Sequence, residues 1–191
     1  MLEQDEIPRR SDATRAAILD AARRRFAADG FQKATIRAIA ADADIDPSMV
    51  MRYYGNKDGL FAAAVDVDLG LADLGDIEPD RLGETLLRHA IRVWEQPPAS
   101  EILLTLLRSS ITDDRAIAKL REIFAGQVMP AVLRTGDPED APRRAGLMAT
   151  QVLGIALTRY ILKLPPVVAM TPDQLVAYIG PTLQRYLTST P

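Results

Sequence analysis

The chain of 191 residues contains no cysteine and a single histidine, His89. Without cysteine there is no disulfide, no thiolate metal site and no cysteine nucleophile, and the composition fits a reducing, cytoplasmic setting. One histidine, with no metal-ligand spacing around it, leaves no obvious catalytic set, so neither an enzyme nor a metal or other cofactor is expected. Long apolar runs are missing too. The most apolar stretch, residues 152–170, is broken by Arg159, Lys163 and Pro165-Pro166, so no membrane span is expected. Residues 1–10 are acidic and then basic without an apolar segment, which fits neither a signal peptide nor an anchor.

An excess of positive charge is also absent, the net charge being −3. The distribution is uneven, however. Residues 9–57 hold ten Lys/Arg against six Asp/Glu, whereas residues 58–191 hold thirteen against seventeen. A mildly basic N-terminal segment on an acidic body fits binding of nucleic acid through one end only. With 48% hydrophobic residues the chain can bury a sizeable core, and disorder is expected only at its ends.

What is present is concentrated between residues 34 and 61. Thr35 can N-cap a helix whose Ile36, Ile39, Ala40 and Ala43 recur at helical spacing. That run stops at Asp44, a residue type tolerant of the left-handed backbone that a tight turn needs. Asp46 then offers a second N-cap with Pro47 at the first helical position, and Ile45 with Val50 forms a hydrophobic staple. Two short helices separated by so few residues describe a helix-turn-helix, which makes DNA binding the leading expectation.

On the second helix Val50 and Tyr54 share a core-facing side, leaving Pro47, Ser48, Met51 and Arg52 toward solvent. Met49 and Met51 are read as candidates for contact with thymine methyl groups, with packing as the alternative. Asn56 can cap the following helix. Lys57 is a cation beside free N–H groups, an arrangement that a DNA phosphate would relieve. Upstream, a helix starting at Ser11 or Asp12 carries Ile18, Ala22 and Phe26 on one face and ends at Gly30, beyond which Phe31 can return to Phe26. The run Arg23-Arg24-Arg25 on this helix reads first as a solvated face.

These residues resemble the TetR family of bacterial transcriptional regulators, over a stretch from about Ala16 to Phe61. The resemblance is most specific at Thr35-Ile36-Arg37, Ile45-Asp46-Pro47-Ser48 and Tyr53-Tyr54-Gly55-Asn56-Lys57-Asp58-Gly59-Leu60-Phe61. It implies an all-helical homodimer with three N-terminal DNA-binding helices and a larger C-terminal domain that receives a small-molecule inducer. By the same resemblance, Thr35 and Arg37 meet DNA from the second helix, Pro47, Ser48, Met49 and Met51 read bases, and Tyr53 and Lys57 hold phosphate. Family members usually carry glycine where this chain has Asp44, and often an aromatic where it has Met51.

Beyond Phe61 there is no internal repeat, no low-complexity tract and no strand-like alternation. Proline and glycine divide the remainder into expected helices near 57–73, 80–96, 100–111, 114–134, 141–163 and 172–188, with Pro130 and Pro181 expected to kink or divide two of them. The fold class is therefore all-α, with about nine helices. Residues 1–57 are expected to form the helix-turn-helix domain and 58–191 the ligand-binding and dimerisation domain.

Gly146, Thr150, Gly154 and Thr158 make a stripe of small side chains at every fourth position, where another helix can approach closely. Leu175, Ile179 and Leu183 recur along the last helix, which opens with a capping box at Thr171–Gln174. Intra-chain packing explains either surface; the resemblance, which implies a four-helix dimer interface, favours dimerisation for part of both. Candidate ligand contacts are polar or aromatic residues among apolar neighbours: His89, Trp94, Arg108, Phe124, Met148, Gln151 and Tyr160. Arg108 is the sharpest of them, because a buried arginine needs an anionic partner. The function these features favour is a repressor released from a palindromic operator by a small molecule. A DNA binder governed by a protein partner, or by nothing, is the alternative, and an all-helical enzyme stands well behind both.

Overall fold

A computed structural model describes residues 10–71 and 77–188, all helix, turn or irregular chain with no strand among them. The chain divides into two compact units, Met1–Asp66 and Val67–Pro191.

In the first unit α1 spans Arg10–Lys33, α2 Ile36–Asp42, α3 Pro47–Tyr54 and α4 Lys57–Ala64. Gly30 breaks α1 with φ 72°, a conformation that glycine adopts without steric cost. The break turns Phe31 back onto Phe26, with ring centroids 5.9 Å apart, and Phe61 of α4 meets both rings edge-on. Ile18, Ile39, Val50 and Leu60 complete this small core at 0% exposure. Because Leu60, Phe61 and Ala64 are buried in it, α4 belongs to the first unit, which runs to Asp66 rather than ending at the expected residue 57. The basic run of α1 is largely consumed internally. Arg23 Nε donates to Ala64 O at 2.9 Å, Arg24 pairs with Asp20, and Arg25 grips Asp42 at the end of α2 through two nitrogens, at 2.5 and 2.8 Å.

The second unit contains α5 (Leu82–Glu95), α6 (Ala99–Ser109), α7 (Asp114–Ile123), α8 (Met129–Leu133), α9 (Ala141–Ala156), α10 (Pro165–Val168) and α11 (Pro172–Thr188). Leu82, Leu86, Leu87 and Ile91 of α5 pack with Leu175, Leu183 and Leu187 of α11 and with Ala145 and Met148 of α9. The α5–α11 crossing is close at Gly83, where an added β-carbon would lie 2.3 Å from Gly180 O. Gln184 of α11 seals it, accepting from the Gly83 N–H and donating to Pro79 O.

Two expectations are corrected. The helix expected over 57–73 stops at Ala64, and residues 67–71 carry no helix; the side chains that hold their backbone, described below, supply the hydrogen bonds a helix would have made. The long helices expected over 114–134 and 141–163 each contain a π-helical turn, at Phe124–Val128 and Leu157–Ile161; the first ends two residues before Pro130, whose missing N–H already removes one regular helical bond there. Pro181, expected to kink or divide its helix, lies inside an α11 that runs on to Thr188. It sits on the exposed side, where the carbonyl it leaves without a partner can be hydrated.

Candidate functional site

The helix-turn-helix is built as its caps require. Thr35 Oγ1 accepts the Ala38 N–H at 3.1 Å, and Asp46 accepts the Ser48 N–H at 2.8 Å with Pro47 opening α3. Bonds from Ser48, side chain first and backbone second, hold the Asp46 carboxyl below the usual carboxylate range. Asp44 takes the turn at φ 53°, a left-handed backbone that few residue types other than glycine adopt readily. α3 therefore leaves α2 within a few residues and presents one face outward. Val50 is 0% exposed whereas Met51 is 46% exposed, and Ser48 and Arg52 join Met51 on the open side. Pro47, Met49 and Tyr53 are half-buried, and Thr35 and Arg37 of the preceding helix are exposed.

Two residues expected at phosphate have defined neighbours within the unit. Lys57 Nζ donates to Gln32 O at 3.2 Å and lies 4.4 Å from the Phe31 ring centroid. The cation at the start of α4 is thus drawn to the carbonyl-rich end of α1, and an ammonium group keeps further donors for an outside anion. Tyr53 carries the Arg15 guanidinium 5.1 Å from its ring centroid, while Tyr54 Oη donates to Arg15 O at 3.4 Å. Arg15 was not singled out from sequence. Its role depends on a contact 39 residues away that no local pattern announces.

The second unit contains a cavity of about 140 Å³. Leu86, Ala90 and Val93 of α5, Leu103 of α6, Ile123 of α7 and Val152 of α9 form much of its wall. Four expected ligand contacts reach it: His89, Trp94, Phe124 and Met148. Three do not. Arg108 is exposed, because α6 turns it outward with Glu101, one heptad earlier, while Ile102, Leu103 and Leu106 face in. The buried arginine is instead Arg144, 3% exposed, which donates to Leu187 O, Asp137 O and Thr135 Oγ1 and so ties the α8–α9 loop to the end of α11. Gln151 is half-buried away from the cavity wall. Tyr160 stacks on the outer side of Trp94 with rings 5° from parallel and donates to Glu95 Oε1 at 3.0 Å; burial and that carboxylate push its hydroxyl well above the usual range.

Residues 67–71 close one side of the cavity with Leu69 and Leu71. Their backbone is held by side chains. Gln127, within the π turn, accepts the Leu69 N–H and donates to Val67 O, both at 2.7 Å. His89 Nε2 lies 2.6 Å from Leu69 O, and Arg134 Nη2 donates to Leu71 O at 2.9 Å. Arg92 approaches His89 Nδ1 at 3.5 Å, and arginine only donates, so the histidine hydrogen sits on Nε2. No group of side chains able to hold a metal occurs among the described residues, and no described helix is long and apolar enough to cross a membrane.

Of the residues expected at a dimer surface, Leu175 and Leu183 are corrected: both are 0% exposed against α5 within the same chain. Ile179 is half-buried. Thr150 and Gly154 are exposed and Gly146 and Thr158 half-buried, and an added β-carbon at either glycine meets nothing within 4 Å of the chain itself. Leu153 and Leu157 beside this stripe, each 39% exposed, and Tyr178 on α11, 76% exposed, were missed, since each fits a core pattern equally well in sequence.

An exposed reading helix set across a tight turn from a capped partner, with a separate all-helical unit behind it in the chain, defines a helix-turn-helix DNA-binding regulator. Residues 18–64 match the model of bacterial regulatory proteins of the tetR family, and residues 80–187 match that of the tetracyclin repressor-like C-terminal domain. The chain belongs to the TetR family, whose members and relatives here are regulators rather than enzymes. A solved TetR-family regulator from Streptomyces coelicolor is 30% identical, with 96% of this chain and 99% of that one covered at a TM-score of 0.69. NalD of Pseudomonas aeruginosa, the secondary repressor of the MexAB-OprM multidrug efflux pump, shares the fold at 19% identity, with 92% and 96% covered and a TM-score of 0.69. An HTH-type transcriptional repressor of Streptomyces coelicolor is 40% identical over 70 residues, so the chain spans only 36% of that curated relative's length.

Proposed function

We propose that the chain acts as a homodimeric repressor that leaves a palindromic DNA operator when a small molecule occupies the second unit. The observation carrying the DNA half is the division of α3, with Val50 fully buried and Ser48, Met51 and Arg52 open. Thr35, Arg37, Pro47, Met49, Tyr53 and Lys57 complete the DNA-facing set in this reading. DNA recognition belongs to the first unit; ligand binding and dimerisation belong to the second. The cavity beside His89, Trp94, Phe124 and Met148 supports the ligand half. Two relatives lend it weight. NalD represses a multidrug efflux pump, and EbrR, a multidrug binding protein of the same fold at 21–22% identity, has been crystallised with imidazole and with malachite green.

Occupancy acts in this scheme by shifting the population toward a conformer whose paired reading helices no longer match two half-sites. The test begins with selection from a random duplex library using the full chain. An inverted repeat with half-sites about one helical turn apart is the expected product. Recovery of sequences without symmetry would remove the dimeric reading, and recovery of unselected sequence would remove specific recognition altogether.

A further inference from the structure

Resting on that reading, we infer that the cavity of the second unit takes an uncharged, apolar molecule of one aromatic ring, and that the segment 67–71 is the wall that sets this limit. Engineered cavities of about 150 Å³ lined by aliphatic and aromatic side chains take benzene. This one measures about 140 Å³. Among the described residues lining it, only His89 can carry a charge, and both of its ring nitrogens are engaged, with Leu69 O and Arg92. The Trp94 indole is the one other polar side chain on that wall. A ligand bringing a carboxylate or an ammonium group would lose its hydration and gain no counter-charge, so charge is selected against.

Size is set differently. α5, α6, α7 and α9 present helical walls whose backbone bonds are internal and cooperative. Residues 67–71 have no such ladder. Gln127, His89 and Arg134 hold their backbone through four hydrogen bonds, while Leu69 and Leu71 face the cavity. A second fused ring displaces those leucines, and the bonds to Gln127 are the ones that resist. The same segment follows α4 in sequence, two residues after its C-cap.

Trp94 is the chain's sole tryptophan and lines the cavity, which makes its fluorescence a site-specific reporter. The full chain is titrated with toluene, benzylammonium, benzoate and naphthalene. Toluene is expected to change Trp94 emission and to bind at least a hundredfold more tightly than either charged analogue, with naphthalene at least tenfold weaker than toluene. Equal or tighter binding of benzylammonium or benzoate overturns the neutral class. Ala149 of α9 also lines the cavity, and Ala149→Leu, which fills it, should abolish the toluene response while leaving operator binding intact; if that variant does not fold, the charge series on the native chain still decides. Gln127→Ala is the test of the wall. It should raise naphthalene affinity relative to toluene at least fivefold, whereas a residue that merely supports the fold would weaken both together. An unchanged ratio removes the wall from the proposal. Toluene binding without release of operator DNA would uphold the site and its ligand class while sinking ligand control through it. Release by a charged compound at the cavity, with no toluene binding, would do the reverse.

Discussion

Met51 and Lys57 separate two ways in which a side chain can contribute to DNA binding. Met51 is open and makes its case by exposure. Replacing it with alanine should cost on the order of 1–3 kcal/mol of discrimination at one symmetric pair of operator positions, read by repeating the library selection. A uniform fall in affinity with the consensus intact would make Met51 structural. Lys57 is tied to Gln32 O and Phe31, yet one carbonyl uses one of its three donors. Lys57→Ala should weaken specific and random duplexes alike and lower the slope of log K against log salt by roughly one. A slope unchanged from the parent would take Lys57 out of the phosphate contacts and leave it as the clamp between α1 and α4. The contrast with Arg108 shows what sequence can carry at this scale. Caps such as Thr35, Asp46 and Asn56 were legible because their partners lie two or three residues away. The buried arginine was misplaced because Arg144 is held by carbonyls at 132, 137 and 187, the last of them 43 residues away and outside any local window.

At the scale of elements, helix positions followed from periodicity and from proline and glycine punctuation, and the helix-turn-helix from its caps. The segment 67–71 did not, since its conformation depends on Gln127 and Arg134 some sixty residues away. The close crossing within the chain, Gly83 of α5 against α11, was not read from sequence either, where the only stripe of small residues noticed was that of α9, favoured for pairing two chains. Gly83→Ala would place a β-carbon against backbone that cannot rotate away, so α5 and α11 must part. A loss of about 3 kcal/mol is expected in urea denaturation. A variant as stable as the parent would show that the crossing yields. The cap of α3 gives a pH dependence of defined sign. The folded-state pKa of Asp46 is depressed by Ser48, so its stabilisation is present above the unfolded value of about 3.9 and is lost as pH falls through the lower folded one. Asp46→Asn keeps a capping oxygen and removes that titration. The difference in urea midpoint between the two proteins should therefore shrink from pH 6 to pH 3. A constant difference would detach the cap from acid sensitivity.

For the whole molecule the proposed dimer turns on which surface two copies would share, because a single helix-turn-helix buries too little surface for tight, specific binding. Leu175 and Leu183 are spent inside the chain, which leaves the exposed side of α9 as the surface to pair: Thr150, Gly154 and the flanking Leu153 and Leu157, with Tyr178 of α11 as a further candidate. Two small residues one turn apart let a partner helix come close, and the leucines beside them supply apolar area at the rim of that approach. Gly154→Leu tests this cleanly. An added β-carbon there meets nothing within 4 Å of its own chain, so the fold should be kept and the melting transition changed by no more than about 0.5 kcal/mol. Between two chains the same side chain overfills the crossing, at a cost of about 1–3 kcal/mol for each copy. Light scattering at micromolar concentration should then show a shift toward monomer. Operator affinity should fall with it although α3 is untouched, because a lone reading helix forfeits the linked second half-site. A folded, fully dimeric Gly154→Leu protein with normal affinity would move the interface away from this face of α9, and Tyr178→Glu would be the next surface to test. A native chain that is itself monomeric would be the graver result, since the two-fold match between protein and operator would have no protein symmetry behind it.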